Sequence, residues 1–112
     1  MTRPYLARFR SETSISGAIR DALNALGYPT IRINTGTARR RGHHVQLAPP
    51  GTPDNLCMAP YLWLEVKRPG EDLNDNQRAW HAWAARHGIP VVTVETVAEA
   101  VDAVRRQAEV KP

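Results

Sequence analysis

The chain has 112 residues, 42% of them apolar and 23% charged, which suits one soluble domain with a single modest core. Its net charge of +4 favours a polyanionic partner, and arginine supplies 13 of the 15 basic residues, a bias suited to forked contacts with phosphate oxygens. A lone cysteine, Cys57, excludes an intrachain disulfide and fits a reducing compartment, while no segment approaches the ~20 apolar residues that cross a bilayer.

Arg3, Arg8 and Arg10 interrupt the amino terminus, so no apolar run of signal-peptide length is present there. A soluble protein of the cytoplasm with no membrane partner is the expectation. Residues 1–10 read as an N-terminal arm, 11–108 as the domain and 109–112 as a short polar tail.

Residues 14–26 predict a helix, with Ile15, Ile19, Ala22, Leu23 and Leu26 on one face at spacings of three and four. Ser11 or Ser14 can cap its start, and Gly27 stands where a left-handed closing residue is wanted. A first strand follows at 30–34 with Ile31 and Ile33 facing inward. Residues 35–53 read as a loop punctuated by glycine and proline, with Arg39, Arg40 and Arg41 in its middle and a short edge strand at 45–47.

A second strand is predicted at 54–59 and a third at 61–67, with Pro69-Gly70 marking the turn out. Residues 74–87 predict the second helix, ended by Gly88. Residues 90–95 form an apolar fourth strand, and 97 to about 108 a closing helix. The order α-β-β-β-α-β-α predicts an α/β fold, a small mixed sheet flanked by helices. The third strand, second helix and fourth strand make a crossover, so those two strands should be parallel and the connection right-handed.

The third strand carries charge in a pattern that points to chemistry. Leu62, Leu64 and Val66 alternate with Trp63, Glu65 and Lys67, so Glu65 and Lys67 project side by side from one face. Asp54, at the head of the preceding strand behind Gly51-Thr52-Pro53, can reach the same place. Two carboxylates and an ammonium beside a buried sheet suit a divalent cation and water attack on a phosphodiester. A hairpin with a solvated outer face would also carry Glu and Lys.

Other residues admit two readings each. Arg39, Arg40 and Arg41 form either a solvated loop or a DNA contact, of which DNA contact is favoured. His43, His44 and Cys57 fit no standard zinc spacing, so zinc is rejected. Trp80 and Trp83 belong to the core or an interface. Trp63 either flanks the cleft or packs beneath the first helix, and Arg32 and Asn34 either extend the site or are polar edge residues.

The whole pattern resembles the PD-(D/E)xK nuclease superfamily and, more narrowly, the virus-type replication-repair nuclease family (VRR-NUC). The shared features are Glu12 with Ile15, Ala25-Leu26-Gly27, Arg32-x-Asn34-x-Gly36, Gly51-x-Pro53-Asp54, Glu65-Val66-Lys67, Leu73 with Gln77 and Trp80, and Gly88 before an apolar strand. The resemblance spans residues 11–104. It implies a restriction-endonuclease-like core and a deoxyribonuclease dependent on Mg²⁺ or Mn²⁺. Asp54, Glu65 and the Val66 backbone carbonyl would hold the metal, Glu12 would reach it directly or through water, Lys67 would orient the attacking water, and Gln77 would sit beside the cleft.

Glu12 in a first helical turn is also favourable against the helix dipole, and Gln77 also completes a capping box with Asn74. Stand-alone relatives imply a structure-selective endonuclease on branched DNA, of four-way-junction or flap type, acting in DNA repair as a bacterial or phage-encoded homodimer. Apolar residues for a dimer contact are Trp80, Trp83 and the strand 91–94. The alternative function is a non-catalytic DNA-binding subunit of a replication or repair complex.

Overall fold

Helix α1 (Glu12–Ala25) forms where the 3.6-residue apolar periodicity places Ile19 and Leu23 on one face, and both are buried. The structure, a computed structural model, describes residues 12–34, 37–46 and 48–110; the expected N-terminal arm lies outside that range. The helix closes at Gly27, whose φ of +90° lets the Tyr28 N–H return to the Leu23 carbonyl at 2.9 Å. Leu26, expected on the apolar face, falls past the helix end and is exposed.

Strand β1 (Thr30–Arg32) is tied to α1 through Asn24, whose side chain accepts from the Thr30 N–H and donates to the Thr30 carbonyl, both at 2.9 Å. That clamp turns Thr30 into the core, and alternation then sends Ile31 the other way. Ile31 is 41% exposed and Ile33 half-buried, so the expectation that this pair faces the core is corrected.

Residues 37–46, expected as loop, form a separate hairpin of β2 (Thr37–Arg40) and β3 (His43–Gln46). Arg40 pairs with His43 across a two-residue turn, Arg41–Gly42, with φ of +50° and +83°. Two positive φ values define the type I′ geometry that matches strand twist. Asn-Gly or Asp-Gly usually announces such a turn; arginine in the first position hides it. The expected edge strand at 45–47 overlaps β3, which starts two residues earlier and pairs with β2 rather than the main sheet; residue 47 lies outside the described residues.

The main sheet has four strands in the order β1-β4-β5-β6. Strand β4 (Asn55–Met58) runs antiparallel to β1 and to β5 (Tyr61–Val66), whereas β6 (Val91–Val94) runs parallel to β5. Helix α2 (Asp75–Arg86) makes the crossover from β5 to β6, and α3 (Val97–Glu109) closes the chain. The order α-β-β-β-α-β-α and the mixed sheet agree with the expectation, with the hairpin added.

Helices α1 and α3 pack on one another, and the core gathers Ile19, Leu23, Leu62, Leu64, Val94 and Val104. Burying each such side chain is worth ~1.5–3 kcal/mol. Cys57 is buried in the same cluster. Helices α2 and α3 each start at a reciprocal capping box, Asn74 with Gln77 and Thr96 with Glu99. No helix among the described residues is long and apolar enough to cross a membrane.

Candidate active site

Strand β5 separates two chemistries by alternation. Leu62, Leu64 and Val66 enter the core, while Trp63, Glu65 and Lys67 take the opposite face, where Trp63 meets Trp80 and Glu65 meets His81 of α2. Glu65 is only 5% exposed and Lys67 only 6%. Charges this far from water need partners. His81 Nε2 lies 3.4 Å from Glu65 Oε1, and Glu71 Oε1 lies 3.6 Å from Lys67 Nζ. Burial, and then the Lys67 charge, hold the His81 pKa below its ordinary value.

Asp54 reaches the same face through register. Asn55 pairs with Leu64 at the end of the ladder, and Asp54 follows at a bend; the register continued one step would bring it level with Glu65, and cross-strand neighbours share a face. The Asp54 carbonyl accepts from the Ile33 N–H at 2.7 Å, which keeps its backbone turned to β1. One more step sets Pro53 opposite Val66. The Trp63 and Lys67 N–H groups both point to β6, at 3.0 Å and 2.9 Å from their acceptors, so the alternate residue Val66 directs its carbonyl to the β4 edge. Pro53 has no N–H to give it. Asp54, Glu65 and Val66 thus lie at one end of the β4–β5 pair.

This end of β4 is held from the α1 side by a buried polar network. Arg20 Nη1 donates to Asn55 Oδ1 at 2.6 Å and to Ser16 Oγ at 3.0 Å, and Asn55 Nδ2 donates to the Ser16 carbonyl at 3.4 Å. Burial and the neighbouring Arg32 lower the Arg20 pKa, and Asp54 opposes the shift. Glu12 is the first residue of α1, one turn before Ser16; its side chain lies outside the described residues.

Gln77 stands in the first turn of α2 with its Oε1 accepting from the Asn74 N–H at 2.9 Å. The capping role is therefore present, one turn ahead of His81. Arg39 and Arg40 belong to β2, and Arg41 is exposed in the hairpin turn. Trp80 is buried against Trp63 and Val94 belongs to the core, so both serve the single chain, while Trp83 keeps 42% of its surface exposed. Trp63 packs beneath α2, not α1.

Sequence reasoning missed His81 and Glu71. Each follows a candidate site residue by four positions, Gln77 and Lys67 respectively, and on α2 that spacing marks a shared helix face. Among the described residues no three His, Cys, Asp or Glu side chains cluster as a metal cage. Two carboxylates and a backbone carbonyl are the residue types that could offer oxygen donors to a hard cation that keeps most of its waters. No protein-family model, curated protein or solved structure matches the chain.

Proposed function

We propose that the chain is a metal-dependent DNA nuclease of the VRR-NUC type, a Mg²⁺- or Mn²⁺-dependent phosphodiester hydrolase acting on branched DNA. The observation that supports this reading is the β4–β5 register, which pairs Asn55 with Leu64 and, continued one residue, would bring Asp54 level with Glu65, with Lys67 two residues further along that face. Asp54, Glu65 and the Val66 carbonyl are the residues that would hold the cation. A divalent cation held there would supply a water of lowered pKa and would offset phosphate charge.

The remaining roles belong to side chains. Lys67 offers its ammonium to the attacking water or a non-bridging phosphate oxygen, with Glu71 3.6 Å away as its ion-pair neighbour. His81 orients the Glu65 carboxylate from 3.4 Å. The hairpin arginines contact the phosphate backbone, and substrate choice follows DNA shape, because among the described residues no helix stands apart from the sheet to read bases. Two copies related by a two-fold axis would cut matched strands of a junction.

The test is cleavage of labelled linear, flapped and four-way DNAs with Mg²⁺ or Mn²⁺. Wild-type protein should cut at least one branched form, and Glu65→Ala should cut none while retaining its circular dichroism spectrum. Equal cleavage by a folded Glu65→Ala protein would overturn the assignment.

A further inference from the structure

Beside the acidic pair, α2 and the sheet enclose an apolar cavity of about 660 Å³. Ile33 and Ile89 line it together with four aromatic rings, Tyr61, Trp63, Trp80 and Trp83. None of these residues has a role in the hydrolysis described above. The rings are braced against one another: Trp63 and Trp80 meet edge to face at 5.2 Å, and Trp80 and Trp83 lie 5.9 Å apart. The Trp63 indole N–H donates to the Tyr61 hydroxyl at 2.9 Å. Trp83 and Tyr61 nevertheless keep 42% and 47% of their surfaces exposed, so they offer ring surface to an incoming group.

The cavity adjoins the candidate active site along β5 and α2. Trp63 precedes Glu65 by two residues on the same strand face, a separation of ~7 Å along β5. Trp80 immediately precedes His81, the residue that touches Glu65. A strand whose phosphate lies at Glu65 and Lys67 therefore carries a neighbouring base to the rings.

We propose that this cavity takes an unpaired nucleobase flanking the scissile phosphate, an inference that rests on the nuclease reading. A nucleobase is flat, and its faces stack on aromatic rings whatever its identity. In a duplex both faces are covered by neighbouring base pairs, so only a single-stranded or extruded base can enter. The volume lies within the range of small-ligand sites and is far below that of a duplex. Asn76, exposed on the wall, carries both an amide donor and an acceptor for a base edge. Arg86, exposed and three residues beyond Trp83 on α2, adds a cation for the adjoining backbone. The preferred substrate thus holds an unpaired nucleotide at the cut.

Fluorescence anisotropy in EDTA reads binding without cleavage. Wild-type protein should hold a short labelled single strand at least about tenfold more tightly than the matching duplex. Trp83→Ala should lose about tenfold on the single strand and nothing on the duplex, while Trp83→Phe retains most of the affinity. An abasic nucleotide at one position of the strand should reproduce the Trp83→Ala loss. Equal effects on single strand and duplex, or no effect on either, would overturn the proposal. So would a Trp83→Ala protein that sediments as one copy where wild type sediments as two, since the rings would then face a second chain. Wild-type cleavage of a fully paired junction that is indifferent to Trp83 sinks this inference alone; failure of the wild type to cut any DNA sinks the nuclease reading with it.

Discussion

Gly51 sits against the first turn of α2 so closely that a β-carbon on it would stand 2.1 Å from the Asn76 carbonyl oxygen. The other near atoms, the Asn76 carbonyl carbon and the Gln77 nitrogen at 2.4 Å and 2.9 Å, are also backbone and cannot swing aside. Gly51 further adopts a φ of +90°. The turn that delivers Asp54 is thereby seated on the helix that delivers His81. Gly51→Ala combines an unfavourable backbone conformation with an overpacked contact, so it should destabilise the fold by about 2–4 kcal/mol. Urea unfolding checks this; a change below about 0.5 kcal/mol, the size of an ordinary surface substitution, would mean the turn moves away freely.

Lys67 and Glu65 should separate under substitution. Lys67→Ala removes an ammonium that is not a ligand, so calorimetric titration should find Mn²⁺ binding retained while cleavage falls by about 10²–10³-fold. Glu65→Ala should abolish both. Loss of Mn²⁺ binding in Lys67→Ala would show that the lysine holds the carboxylates in place instead of acting on substrate.

The network between α1 and β4 should be worth measuring as a coupling. Asn55 is fully buried and gives Arg20 its shortest acceptor contact, 2.6 Å. Asn55→Ala leaves a half-buried guanidinium short of that acceptor and should cost about 1.5–3 kcal/mol. In a double-mutant cycle with Arg20→Ala, urea midpoints should give a coupling above roughly 0.5 kcal/mol, as for residues in one network. Additive losses would place the Asn55 contribution in its contact with Ser16 alone.

The strands and helices of the main sheet were legible because each repeats its period several times, as in Leu62, Leu64 and Val66 against Trp63, Glu65 and Lys67. The same alternation put Glu65 and Lys67 on one face, and the Gly-x-Pro-Asp spacing named Asp54 as the third candidate. What was hidden depended on contacts between elements. Asn24 reaches forward to clamp Thr30, and that long-range choice, not the apolarity of Ile31, decided which face of β1 turns inward. His81 meets Glu65 only because α2 settles on that face of the sheet. The hairpin at residues 37–46 escaped because its turn places Arg41 at a φ of +50°, where local sequence gives little warning.

The hairpin offers the last prediction. Arg39 and Arg40 stand at the end of β2 and Arg41 opens the turn, so three cations are concentrated on one two-stranded ribbon. Each that meets a phosphate releases a counterion on binding, and the logarithm of affinity then falls with the logarithm of salt by ~0.9 per contact on duplex DNA. Replacing all three with Ala should lower that slope by about 2–3 units and weaken binding uniformly across sequences. The turn itself should survive, since alanine and arginine carry the same backbone penalty at a positive φ. Cleavage at saturating DNA should stay near the wild-type rate, because none of the three lies on the strands that carry Asp54, Glu65 or Lys67. Anisotropy titrations over a salt series decide the matter: an unchanged slope would leave the hairpin as solvated surface and move the DNA path elsewhere on the molecule.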